Sequence, residues 1–107
     1  MRRIIVFAAA ALLAATACAA AEIAEGPSWN ISGDDWRCVK NCLNGDGQPT
    51  HVVQNGRQFR FISETGSSGY GEWVYNFFIE FVGCDNSAAV SADGRMITFG
   101  FGAVWAR

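Results

Sequence analysis

Val52–Ile62 reads VVQNGRQFRFI, and this stretch decides the fold. Asn-Gly between alternating apolar residues is the strongest short-range signal for a two-residue β-hairpin. Both central positions of a type I′ turn need positive φ, which Asn tolerates and Gly adopts without steric cost. With Asn55 and Gly56 at the tip, Gln54 faces Arg57, Val53 faces Gln58 and Val52 faces Phe59. Side chains alternate along a strand. Val52, Phe59 and Phe61 therefore share an apolar face, while His51, Val53, Gln58 and Arg60 share a mixed one.

A second tight turn lies at Asp93-Gly94. It pairs Ser91 with Met96 and Val90 with Ile97, so Val90, Ile97 and Phe99 share a face. Between the two hairpins runs Glu72–Val82, EWVYNFFIEFV. Its odd positions, Trp73, Tyr75, Phe77, Ile79 and Phe81, are all large and apolar. Period two with aromatics predicts one long strand with that face inward. Glu64–Gly71 (ETGSSGYG) reads as a Gly/Ser loop. It lacks the Gly-Lys-Ser/Thr of a phosphate loop.

Towards the start, Trp29–Gly33 reads as a first strand. Asp34–Leu43 reads as a short helical turn capped by Asp34 or Asp35, or as an irregular loop. Asn44–Pro49 is a turn. At the far end, Gly100-Phe101-Gly102 is a turn or bulge before a closing strand, Ala103–Arg107. The sum is six or so short strands and no helix of normal length. The expected fold class is all-β: a small antiparallel meander closed, or nearly closed, into a barrel or roll.

The N-terminal segment is of another kind. Met1-Arg2-Arg3 is basic, Ile4–Ala17 is apolar, and small residues follow up to Ala21. That is the layout of a secretory signal peptide. The expected organisation is a signal peptide over 1–21, a disordered lead-in over 22–28 and a single β domain over 29–107. The apolar run is Ala-rich and lacks basic residues at its far end, so no stable transmembrane span is expected in the mature form. Ala15-Thr16-Ala17-Cys18 resembles a bacterial lipobox, with Ala15 where Leu is usual. Cys18 is thus a lipidation candidate that would anchor the domain without changing its fold. The expected location is periplasmic or extracellular.

The chain has 8 Lys and Arg against 10 Asp and Glu. Loss of Arg2 and Arg3 leaves six bases, a net charge of about −4. Phosphate binding needs a basic face, so no nucleic-acid partner is expected. About 86 residues remain, enough for one small core that benefits from a covalent staple.

Export implies an oxidising compartment, so Cys38, Cys42 and Cys84 are disulfide candidates. Pairing either of the first two with Cys84 closes a loop of roughly 40 residues, stabilising by about 3–4 kcal/mol on the loop-entropy model. Cys38–Cys42 closes a tight loop and does less. Spacing does not choose among them. The same three cysteines with His51 make a Cys₃His zinc set. Cys-x₃-Cys is a weak zinc spacing, and the hairpin register turns His51 outward beside Arg60. No metal and no cofactor are expected.

Nucleophile elbows, metalloprotease helices and Walker loops are all lacking. Glu64, Glu72 and Glu80 read as solvated charges rather than an acid/base pair. Among the 4 tryptophans, Trp29, Trp73 and Trp105 are core plugs or the lining of an aromatic cup for a small apolar or sugar ligand.

The order of motifs resembles small secreted bacterial β-meander domains of unknown function. In these, a Gln-x-Gly hairpin (here Gln54-Asn55-Gly56), a Glu-x-Gly turn (Glu64-Thr65-Gly66), a Ser-x-Asp-Gly-x-Ile-x-aromatic hairpin (here Ser91–Phe99, with one residue more between Gly94 and Ile97) and a terminal Val-Trp-x-Arg strand (Val104–Arg107) follow one another. The resemblance spans Gln54 to Arg107 and implies a β-meander. It transfers no catalytic residue. The Cys38-x₃-Cys42 segment departs from the simplest version of that pattern. A fainter likeness is to lipocalin-type barrels, which have Gly-x-Trp in the first strand and a late Arg covering it. Here Gly26-Pro27-Ser28-Trp29 has one residue too many, and Arg107 is the last residue.

The functional expectation is a non-enzymatic exported domain, binding or structural in the bacterial envelope, with an unknown protein or small apolar ligand as partner. The alternatives are a periplasmic inhibitor of a secreted hydrolase, acting through an exposed loop such as Gly66–Tyr70, and a Cys/His metal or redox site.

Overall fold

Strand β1 (Gly33–Lys40) pairs on one side with β2 (Pro49–Asn55) and on the other with β8 (Val104–Ala106). Between them β3 (Gln58–Ile62), β4 (Ser68–Tyr75), β5 (Phe78–Phe81), β6 (Ser87–Val90) and β7 (Met96–Phe99) follow in order. Each strand is antiparallel to the next, and the sheet closes into a barrel. Closure pairs every strand on both sides and leaves no open edge for another chain to extend. The computed structural model describes residues 26–83 and 86–107. The signal-like segment, most of the lead-in, Cys18 and Cys84 lie outside the described residues.

The 52–62 hairpin forms, with its turn one residue further on than expected. Asn55 pairs with Gln58, Gln54 with Phe59 and Val52 with Phe61. Gly56-Arg57 is the tip, and only Gly56 there has positive φ, 63°. Glycine at the first central position is the signature of a type II′ turn, not the type I′ turn that Asn-Gly suggested. Gln54 holds this register. Its side-chain carbonyl accepts the Ile31 N–H at 2.8 Å and its amide donates to the Trp29 carbonyl at 2.9 Å. The slip moves one strand by two positions against the other, so the faces survive. Val52, Phe59 and Phe61 are all buried.

The second hairpin keeps its expected pairing, Val90 opposite Ile97, around a loop over 92–95. There the Ser91 hydroxyl donates to Asp93 at 2.6 Å, and the Arg95 backbone N–H donates to the same oxygen at 3.1 Å. These two bonds, the serine's first, hold the Asp93 carboxyl below its ordinary value of 3.8. A carboxylate with a depressed folded-state pKa contributes stability at pH values above the unfolded pKa, and this is lost as pH falls through the folded one. Asp93→Asn should therefore melt below the parent at neutral pH, with the gap closing below about pH 4. A set of thermal melts from pH 7 to pH 2 checks this, and a gap that stays constant throughout would contradict it.

Five expectations are corrected. Trp29–Gly33 is not the first strand and Asp34–Leu43 is not a helical turn. The strand is β1, where Trp36 and Cys38 alternate inward and are buried. Glu72–Val82 is not one strand. It is the β4–β5 hairpin, turning at Asn76, which adopts φ 49°. The turn exposes Tyr75 and Phe77, while Trp73, Ile79 and Phe81 stay on the inner side as expected. A strand of 11 residues would overrun so small a barrel, whose longest strands have 8. The supposed Gly/Ser loop shrinks to 63–67, because Ser68–Gly71 belongs to β4. Glycine suits that strand: a Cβ on Gly71 would stand 2.7 Å from the Ile79 Cγ2, and one on Gly69 3.0 Å from the Phe81 ring. Among the described residues the strands number eight rather than six or so.

The meander sends the β1–β2, β3–β4, β5–β6 and β7–β8 connections to one end of the barrel and the rest to the other. At the second end, residues 26–32 fold across the opening. Trp29 stacks on Phe77 with ring centroids 5.7 Å apart and meets Phe59 at 5.8 Å. Ile31 is buried beneath it, and its carbonyl accepts the Trp36 indole N–H at 2.9 Å. Arg107 lies over the Trp36 ring at 4.6 Å, a cation–π contact. The tryptophan covered by the late arginine is thus Trp36, not Trp29.

Candidate functional site

One end of the barrel is plugged, so the candidate site is the other. Phe61, Phe81 and Phe99 are the last inward residues of β3, β5 and β7, and Trp105 is the inward residue of β8. Alternation along an up-and-down meander brings such residues to the same end. Their rings interlock. Phe61 stacks on Phe81 at 5.6 Å and meets Phe99 edge-on at 5.3 Å. Trp105 meets Phe99 edge-on at 4.8 Å. Offset and edge-to-face pairs add to area burial because the ring face is negative and the edge positive.

Above these rings is a recess of about 150 Å³, lined by the four aromatics and by Leu43 and Phe101. A cavity of roughly that size in an apolar setting holds benzene. Phe61, Phe99 and Trp105 in its floor are buried and Phe81 is half-buried, whereas Leu43 is 68% and Phe101 59% exposed. One side of the rim is hydroxylic. Ser63 Oγ lies 2.6 Å from Ser67 Oγ and 2.9 Å from Thr65 Oγ1. The site thus combines an aromatic floor, an apolar lip and a short polar rim.

The β1–β2 connection, residues 41–48, reaches over this end. Cys38, buried at the end of β1, is disulfide-bonded to Cys42 with Cα atoms 5.8 Å apart. This settles the pairing that spacing left open. A ring this short contributes about 2 kcal/mol on the loop-entropy model. Its larger local effect is to set Leu43 at the lip. Asn41 donates its side-chain N–H to the Gly102 carbonyl at 2.9 Å, and the Asn44 backbone N–H donates to Glu64 Oε2 at 2.8 Å. The loop is therefore tied to the β7–β8 and β3–β4 turns as well as to β1.

Among the three tryptophans expected to line a cup, only Trp105 reaches the recess. Trp29 and Trp73 pack against the core at the plugged end, both donating indole N–H to the Asn76 carbonyl, at 3.2 and 2.7 Å. Phe61, Phe81, Phe99 and Phe101 were not singled out. Their signal was available: each of the first three ends an inward-facing run that heads to the same side of the meander. His51 is outward as expected, with Nδ1 3.0 Å from Asp34 Oδ1. The barrel wall separates it from Cys38. Glu72 and Glu80 face each other across β4–β5, with Arg57 3.3 Å from Glu72.

No family model, curated protein or solved structure matches this chain. No helix among the described residues is long and apolar enough to cross a membrane.

Proposed function

We propose that this chain is an exported, non-enzymatic binding domain whose ligand inserts a small apolar or planar group into the aromatic recess. The observation that supports it is the cluster of Phe61, Phe81, Phe99 and Trp105 beneath an open mouth with exposed Leu43 and Phe101. An apolar recess with a few polar groups at its edge is the usual form of a small-molecule site. The hydroxyls of Ser63, Thr65 and Ser67 would orient a polar head on the same ligand. The basic, apolar and small-residue order of residues 1–21 supports export to the bacterial envelope. Intact mass of the exported protein reads cleavage near Ala21 or lipidation of Cys18, and retention of Met1 would contradict both.

The hydrolase-inhibitor reading has less support. Ser68, Gly69 and Tyr70 of its candidate loop lie in β4, and the remaining turn over 63–67 is held tight by the Gly66 N–H donating to the Ser63 carbonyl at 2.9 Å.

Toluene or indole titrated into the protein should shift the Trp105 indole N–H resonance, leaving those of Trp29 and Trp73 in place. Phe101→Ala should weaken binding by about fivefold, since an aromatic contact is worth on the order of 1 kcal/mol. Phe101 is largely exposed, so the fold should survive its loss. Shifts confined to Trp29 and Trp73, or unaltered affinity in Phe101→Ala, would overturn the assignment.

A further inference from the structure

We propose that Cys38, Cys42 and Glu64 form a metal site when the Cys38–Cys42 bridge is reduced, taking a divalent cation of the zinc class. The two Sγ atoms and a Glu64 carboxylate oxygen all lie within 4.8 Å of one another. They come from the end of β1, the β1–β2 connection and the β3–β4 turn, three segments that converge only in the folded chain. Between them is a recess of about 30 Å³, which Asn41 and Ser63 also line. That is the room one water molecule or one small cation takes up.

Glu64 is already oriented for the task. Its Oε2 accepts the Asn44 backbone N–H at 2.8 Å, which ties the carboxylate to the loop that carries Cys42. A ligating carboxylate that is itself hydrogen-bonded to the protein is a common arrangement around metals. Two thiolates and one carboxylate oxygen supply three corners of the tetrahedron that zinc prefers, and water supplies the fourth. His51 has no part in this set. It lies on the outer face with Asp34.

The chemistry balances in two steps. A dithiol passes two electrons and two protons to the disulfide. The S–S bond breaks, both cysteines become thiols, and the dithiol leaves as its own cyclic disulfide. The cation then displaces the two thiol protons into solvent and binds the thiolates. In the oxidised state neither sulfur is a thiolate, so the site is present only after reduction. Metal would then restore the tie between β1 and residue 42 that reduction removes. This inference stands apart from the ligand reading of the larger recess, which needs neither metal nor reduction.

The test uses the full chain carrying Cys18→Ser and Cys84→Ser, so that Cys38 and Cys42 are its only thiols. The protein is reduced with a soluble dithiol, freed of it without air, and titrated with Co²⁺. Thiolate-to-cobalt charge-transfer bands should grow to one equivalent and vanish on adding Zn²⁺, and the oxidised protein should give none. Glu64→Gln, similar in size, should weaken Co²⁺ binding by about tenfold or more. Near-ultraviolet circular dichroism follows the fold in parallel. If reduction loosens the tryptophan signal, Co²⁺ should restore it. Absence of the charge-transfer bands, equal affinity in Glu64→Gln, or a lost tryptophan signal that Co²⁺ does not restore would each overturn the proposal.

Discussion

Trp36→Ala is expected to lose about 3–5 kcal/mol of stability, the usual result of emptying a buried indole site. Domains of this kind have about 5–15 kcal/mol in all, so a large share of the molecules would unfold at moderate temperature. Trp36 is 0% exposed and sits in β1, the strand at which the barrel closes. Three consequences follow from removing it. The indole volume becomes a cavity. The Ile31 carbonyl, 2.9 Å from the indole nitrogen, loses its donor. The Arg107 guanidinium, 4.6 Å above the ring, loses its platform. For a domain of this size the melting temperature should fall by roughly 15–30 °C. Trp36→Phe, which keeps an aromatic ring and loses only the N–H and part of the volume, should fall between the two. A melt of Trp36→Ala within a few degrees of the parent would show that the barrel end is not organised around this residue.

Phe61→Ala should cost a similar amount, about 3–5 kcal/mol, and should also change what the recess accepts. Phe61 is 3% exposed and touches the rings of Phe59, Phe81, Phe99 and Trp105. It forms part of the recess floor. Truncation removes packing from the core and deepens the site at the same time. A melt reads the first effect. Titration with ring systems of increasing size reads the second, and the variant should favour a larger ring than the parent does. Phe61→Leu fills most of the volume and should cost no more than about 1.5 kcal/mol. If the variant lost stability while keeping the parent's size preference, the recess floor would lie elsewhere.

The fold was legible where local rules suffice. Alternation named Val52, Phe59, Phe61, Val90, Ile97 and Phe99 as inward, and all six are buried. The rule has a period of two, so it tolerated the displaced Gly56-Arg57 turn. It misled where a turn leaves no glycine or proline to mark it. Asn76-Phe77 breaks an aromatic run with an asparagine at positive φ, a conformation asparagine adopts more readily than most residues. Ser68–Gly71 misled in the opposite sense, because glycine there makes room for the Ile79 and Phe81 side chains instead of marking a loop. Trp36 and Cys38 alternate inward as any strand would, but the flanking Asp34-Asp35 pair read as a helix cap.

The candidate site was less legible, because it depends on which end of the barrel each strand leads to. Trp29, Trp73 and Trp105 were grouped by residue type, and the topology separates them. The disulfide could not be chosen by spacing. Cys38 and Cys42 meet because β1 ends and its chain turns back at Asn41, which adopts φ 52°. Neither fact is written in a Cys-x₃-Cys pattern.

The pairing of β1 with β8 has a consequence for the order in which the molecule can be made. Among the described residues, seven of the eight ladders join neighbours in sequence, so each can form without waiting for distant parts of the chain. The eighth joins Arg37 to Ala106 and Cys38 to Trp105 across nearly the whole domain. Until β8 docks on β1, β1 has a free edge and the barrel is open. Closing so long a loop is the slow part of such a topology, and the folding chain presents an unpaired strand until then. Contacts within the meander can accumulate early, but the barrel becomes a closed unit only at its last strand. A chain shortened by a few residues at Val104–Ala106 would therefore remain an open sheet with two adhesive edges, prone to self-association.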